Sequence, residues 1–188
     1  MAKLLTLWWA VFIFIGMKAD NPIGIFDSGV GGTSIWKEIH QLLPNEHTLY
    51  LADSKNAPYG NRSAEEIRAL SVKNTEKLLE MGAKIIVVAC NTATTNAISL
   101  LRKNYEIPFI GIEPAIKPAA LQSKTGKIGI LATRGTLSSA LFSQTSDTFT
   151  KDISVVEVIG EGLVPLIENG DFDHPELDKL LQKYIKPM

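Results

Sequence analysis

The sequence holds one cysteine, Cys90, and three histidines in 188 residues, and charge of neither sign gathers into a block. A single cysteine excludes an internal disulfide framework and a cysteine-rich zinc site. His40, His47 and His174 lack metal-ligand spacing, so no metal is expected. Nineteen basic and twenty acidic residues give a net charge of −1, which argues against a nucleic-acid partner. Two phosphate chemistries are also excluded. The glycine-rich stretch after the first strand lacks the lysine of a P-loop and has Ser34 where a dinucleotide fingerprint needs glycine. A cysteine-phosphatase loop needs arginine six positions after its nucleophile, where this chain has Asn96. With 45% hydrophobic and 21% charged residues, the chain has the composition of a globular protein with a substantial core.

One long apolar run stands apart. Leu4 to Met17 is interrupted only by Thr6, follows Lys3 and precedes Lys18-Ala19-Asp20. As a helix it would reach about 21 Å, short of the roughly 30 Å hydrocarbon core of a bilayer. Residues 1–20 therefore read as a signal-like segment, a marginal membrane anchor or an extended translation start, and the cleavage positions Met17 and Ala19 fit a signal peptide poorly. Membrane contact is expected only through Leu4 to Met17.

From Asn21 onward, strands and helices alternate. Ile23-Gly24-Ile25-Phe26 reads as a buried strand ending at Asp27-Ser28-Gly29-Val30-Gly31-Gly32, with a helix from Thr33 to Leu43 carrying Ile35, Ile39 and Leu42 on one face. A carboxylate and a hydroxyl beside free backbone amides suit a small ligand bearing an ammonium and a carboxylate. Thr48–Ala52 is the second strand. Its exit loop runs Asp53-Ser54-Lys55-Asn56-Ala57-Pro58-Tyr59-Gly60. Ser63 and Glu66 predict a capping box for a helix through Ile67, Leu70, Asn74, Leu78 and Met81, closed by Gly82.

The β-branched run Ile85-Ile86-Val87-Val88 then delivers Ala89-Cys90-Asn91-Thr92 to a strand-to-helix turn. There the helix's positive end favours a reactive thiolate, although an inert buried thiol fits the same pattern. Three strand ends, at Asp27-Ser28, Asp53 and Cys90-Asn91-Thr92, are expected to share one edge of a parallel sheet, where ligands bind. Pro108–Ile112 predicts a fourth strand and Ala115 to Leu121 a helix. Gly126 to Ala132 repeats the Ile-Gly-Ile pattern and exits into Thr133-Arg134-Gly135-Thr136, ahead of a helix from Leu137 to Thr145. Strand Ser154–Val158 and helices at Gly162–Glu168 and His174–Tyr184 follow. The fold class is therefore α/β, with parallel-sheet domains and flanking helices: a first domain over 21–110 and a second, incomplete, over 111–188.

Asp27-Ser28-Gly29-Val30-Gly31-Gly32, Pro58-Tyr59-Gly60, Cys90-Asn91-Thr92-Ala93 and Val164-Pro165-Leu166-Ile167-Glu168-Asn169-Gly170 resemble, in order and spacing, the signatures of the cofactor-independent aspartate/glutamate racemases. The resemblance runs from about Pro22 to the end of the chain. It implies two similar α/β domains with an amino-acid site between them, a cytoplasmic protein, and conversion of L-glutamate to D-glutamate for peptidoglycan. It also implies Cys90 as one of two acid/base thiols, acting on the D-enantiomer, and Asp27 as the carboxylate assisting it. Ser28, Pro58, Tyr59, Gly60, Asn91, Thr92 and Thr136 then hold the substrate, and Asp53 and Glu168 line the site as acid/base support. For Asp53 and Thr136 a turn or helix-cap role competes with ligand contact.

The resemblance departs in one respect: no second catalytic cysteine follows Cys90. The chain reads as a racemase shortened at its carboxyl end. Uncovered apolar faces are expected to aggregate or to recruit another chain, a second copy or the missing half. Amino-acid binding without catalysis, or action on aspartate or another acidic substrate, are the competing readings.

Overall fold

A computed structural model of the chain describes residues 20–151 and 153–188. The apolar segment Leu4 to Met17 lies outside these residues. In chain order the elements are β1 (Ile23–Asp27), α1 (Thr33–Leu42), β2 (Thr48–Ala52), α2 (Ala64–Glu80), β3 (Ile85–Val88), α3 (Asn91–Asn104) and β4 (Phe109–Gly111). They continue as α4 (Ile116–Gln122), β5 (Lys127–Ala132), α5 (Arg134–Leu137), α6 (Ala140–Phe149), β6 (Ser154–Ile159), α7 (Leu163–Glu168) and α8 (Pro175–Ile185). The exit from β2 winds through two short 3₁₀ turns, Ser54–Asn56 and Tyr59–Asn61.

The first four strands form one parallel sheet in the order β2-β1-β3-β4, and β5 and β6 form a second parallel pair. In the first sheet the chain steps from β1 to β2 and then crosses back to the other side of β1 to lay down β3. This reversal opens a crevice at the carboxyl ends of β1 and β3, the place where open parallel sheets bind ligands. Register brings the key residues to it. Phe26 pairs with Val88, so Asp27 falls level with Ala89 and Cys90 follows one residue on.

The hydrophobic runs form strands because both faces of the sheet are covered. Phe26, Ile86 and Val88 point to the side packed by α2 and α3, with Ile67, Leu78, Ile98 and Leu101. Ile23, Ile25, Val87 and Ala89 point to the other, beneath Ile35, Trp36 and Ile39 of α1. Each fully buried side chain of this size contributes about 1.5–3 kcal/mol. Ser63 and Glu66 form the expected reciprocal capping box at the start of α2, and Gly82, at φ 86°, closes that helix in the left-handed region.

Three local expectations fail. Leu42 is 79% exposed and Met81 49% exposed, because Leu42 is the last residue of α1 and Met81 the first beyond α2, where each helix has already run past the sheet. The helix expected from Leu137 to Thr145 is two: α5 ends at Leu137, and Ser139 starts α6 by accepting a hydrogen bond from the Phe142 amide at 3.3 Å. Ile110, Leu121, Phe149, Phe172 and Ile185 expose large apolar side chains, four of them around the second sheet and its helices.

Candidate functional site

A cavity of about 570 Å³ opens at the carboxyl ends of β1 and β3. Asp27, Ser28, Pro58, Tyr59, Gly60, Cys90, Asn91, Thr92, Thr136 and Glu168 all line it, and residues of β5, α5 and α7 complete its far wall. Asp53 is outside the lining, behind Tyr59, whose hydroxyl donates to it.

Cys90 is both the last residue before α3 and its cap. Its Sγ accepts from the Ala93 amide at 3.4 Å and lies 3.6 Å from Ser28 Oγ. The expectation of a thiolate favoured by the helix end is not met. Burial above all, and then the Asp27 carboxylate, push the thiol up to about 11, against the smaller opposing pull of the Ala93 amide and Ser28. A helix end stabilises an anion by a fraction of the cost of removing that anion from water. The resting group is a neutral thiol.

The glycine-rich turn after β1 also differs from expectation, because protein carboxylates already hold most of its amides. Asp27, 5% exposed, accepts from the Gly29 and Gly32 amides at 3.1 and 3.2 Å. Glu168 reaches across from α7 and accepts from the Val30 amide at 3.0 and 3.1 Å. A Cβ on Gly29 would sit 2.1 Å from the Glu168 oxygens, so this approach requires glycine. This wall of the cavity is therefore negative, and suits an ammonium group rather than a carboxylate.

The opposite wall is hydroxyl and amide. Thr92 Oγ1 lies 2.8 Å from Thr133 Oγ1 and 3.1 Å from Thr136 Oγ1, and Thr133 and Thr136 are 3.2 Å apart. The three hydroxyls close a ring, one from α3, one from the β5–α5 turn and one from α5 itself. Asn96 fastens the same joint, donating to the Thr92 and Gly135 carbonyls at 2.9 Å each. Gly60 packs against Thr133 so closely that a Cβ would lie 2.5 Å from the threonine Cβ.

Two contributors were missed by sequence reasoning. Thr133 reads as an ordinary turn residue, although a threonine three positions before Thr136 at a helix start is a cap signal, and it does accept from the Thr136 amide at 3.4 Å. Tyr50 reads as a strand residue. Its hydroxyl donates to the Gly29 carbonyl at 3.0 Å, steadying the glycine turn, and burial together with Asp27, Glu168 and Cys90 raises its pKa strongly.

Among the described residues, no cluster of three or more His, Cys, Asp or Glu side chains could hold a metal, and no helix is long and apolar enough to cross a membrane.

A thiol and a carboxylate thus share a cavity that has one acidic and one hydroxyl-lined wall. The chain belongs to the Asp/Glu/Hydantoin racemase family, whose model matches residues 23–188. It is 51% identical to the glutamate racemase of Ectopseudomonas mendocina over 172 residues, covering 91% of this chain and 65% of that protein. With the glutamate racemase of Herpetosiphon aurantiacus it shares 47% over 169 residues, 90% of this chain and 66% of the relative. Among solved structures, a glutamate racemase isoform from Bacillus anthracis superposes with a TM-score of 0.80 at 32% identity, over 90% of this chain and 64% of that one. The Escherichia coli glutamate racemase solved with L-glutamate and an activator gives a TM-score of 0.79 at 33% identity, covering 88% and 64%. The chain thus spans just under two thirds of the length of these relatives.

Proposed function

We propose that the chain forms the amino-acid site of a glutamate racemase, an isomerase that moves a proton at the substrate's Cα without a cofactor. The observation that carries this reading is the lone thiol at the β1/β3 crevice, buried beside Asp27 and opening on a cavity with walls of opposite chemistry. An α-amino diacid matches that layout. Its ammonium rests against Asp27 and Glu168, and its carboxylates meet Asn91, the Thr92 and Thr136 hydroxyls, and the Tyr59-Gly60 main chain. The sequence relatives and the racemase solved with L-glutamate support glutamate over aspartate as the substrate.

In one direction Cys90 acts as thiolate: an S–H bond forms, the Cα–H bond breaks, and the electron pair is delocalised into the α-carboxylate. In the other, the Cys90 thiol returns a proton to that carbanion. A base and an acid on opposite faces are needed for inversion. The Asp27 charge makes the thiolate harder to form and a stronger base once formed, and the substrate ammonium offsets that charge on binding. Residues 21–110 and 111–188 are the two domains meeting at the site, the reaction belongs to the cytoplasm, and its product serves peptidoglycan synthesis. These 188 residues carry one thiol and so supply one face. Alone, they are expected to exchange the Cα proton of D-glutamate without useful net racemisation.

Proton NMR in deuterated water tests this. The α-proton signal of D-glutamate should fade with the wild-type chain and persist with Cys90→Ser. Equal exchange in both, or no binding of glutamate, overturns the assignment. A second reading, amino-acid binding without catalysis, is favoured by the raised Cys90 pKa. It predicts calorimetric binding of glutamate with no exchange from either enantiomer.

A further inference from the structure

Tyr59 lines the cavity, is 1% exposed, and turns its hydroxyl away from the cavity into the first sheet's core. There it donates to Asp53 Oδ2 at 2.5 Å and accepts from Asn74 Nδ2 at 3.0 Å. Neither partner lines the cavity. The phenol's single proton is therefore committed, leaving none to donate to a ligand. Asp53 is held in turn by Asn56 Nδ2 at 2.8 Å, and the Asn56 carbonyl accepts from Arg62 Nε at 2.8 Å. Asn74 is 4% exposed in the middle of the 17-residue α2, where a buried amide costs both helix propensity and desolvation. Its bond to Tyr59 is the compensation. Gly60, the residue after Tyr59, is the point at which this turn seats on Thr133 of the opposite wall.

We propose that Asn74 and Asp53 are positioning residues that clamp the Tyr59 hydroxyl from both sides, so that Tyr59 sets the place of the Pro58-Tyr59-Gly60 wall without its hydroxyl touching the ligand. The inference rests on the amino-acid-site reading above. It assigns a role to Asn74, which the site reading leaves out, and moves Asp53 from acid/base support to an acceptor one step behind the cavity.

A double-mutant cycle on the full chain tests it, with calorimetric binding of D- and L-glutamate as the readout. Asn74→Leu and Tyr59→Phe should each weaken binding about three- to tenfold, the worth of one buried hydrogen bond. The double variant should bind no worse than the weaker single. Asp53→Asn, which keeps an oxygen acceptor, should stay near wild type while Asp53→Ala falls with Asn74→Leu. A merely structural role lowers the melting temperature of these variants but leaves the Kd of the folded protein unmoved, and that result overturns the proposal. Additive losses, or equal losses for Asp53→Asn and Asp53→Ala, overturn it as well.

Amide NMR provides an arm that needs no ligand. The Gly60 and Thr133 amides should shift in Asn74→Leu, and unmoved amides overturn the clamp. If those amides shift but the wild-type chain binds no glutamate, the clamp stands and the amino-acid-site reading fails. Should Asn74→Leu not fold, Asn74→Ser removes the same donor with less bulk and is read in the same way.

Discussion

Replacing Cys90 with alanine should flatten part of the alkaline fall in stability. Burial and Asp27 hold the folded thiol at about 11 against an ordinary 9.0. The thiol therefore ionises more readily in the unfolded chain. Its contribution is fully present below pH 9, declines as pH rises, and is spent once the folded group titrates near 11. The gap corresponds to about 3 kcal/mol in total, of which about half is lost by pH 10. Tyr50 and Tyr59, whose pKa values are also raised, add a similar decline at higher pH that is largely common to both proteins, since burial is the main cause of each shift and Cys90 only a lesser one. Urea unfolding of wild type and Cys90→Ala at pH 7, 8.5 and 10 measures it. The wild-type advantage should be widest at pH 7 and narrower by about 1 kcal/mol or more at pH 10. A difference constant with pH, or one that widens, refutes the argument. So does an alkylation rate for Cys90 that inflects at or below the free-cysteine value of about 8.5. Asp27→Asn removes the second cause of the shift and should speed alkylation several-fold at pH 8.

Gly60→Ala would force a Cβ to 2.5 Å from Thr133 Cβ and should cost about 1–3 kcal/mol, read as a lowered midpoint in urea. Ser63→Ala breaks the capping box of α2 and should cost about 1 kcal/mol, or roughly 2–4 °C in Tm. Glu168→Ala removes one carboxylate from the acidic wall. Calorimetry should show binding of glutamate falling several-fold while glutarate, which lacks the ammonium, binds as well or better; parallel losses would place Glu168 away from the ammonium.

The frame of the first sheet was legible because parallel strands buried on both faces read as unbroken apolar runs, and because strand ends in such a sheet converge. Ile85–Val88 announced β3, and the alignment of Asp27 with Ala89 follows from parallel pairing alone. Local signals also held, as at Ser63, Glu66 and Gly82. What escaped depends on partners remote in sequence. Nothing near Val30 shows that its amide is taken by a carboxylate 138 residues away. Nothing in Pro58-Tyr59-Gly60 shows that the phenol turns inward to Asn74. Sequence left the Cys90 pKa open between a reactive thiolate and an inert thiol, because helix position is visible there, whereas the depth of burial that outweighs it is not. Leu42 matched the helical period and still faces solvent, since periodicity cannot tell where a helix outruns its sheet.

The ring of Thr92, Thr133 and Thr136 has a consequence for any attempt to redesign the chain. Three hydroxyls carry three protons, and a closed ring uses all of them, one per bond. A carboxylate that draws on these donors must open the ring, and the ring is also where α3 meets the β5–α5 turn. Selectivity and the mutual placement of the two sheets are thus written in the same atoms. A substitution at any of the three that is chosen to change what the cavity accepts will also change how far apart its walls stand, so the two properties cannot be tuned one at a time.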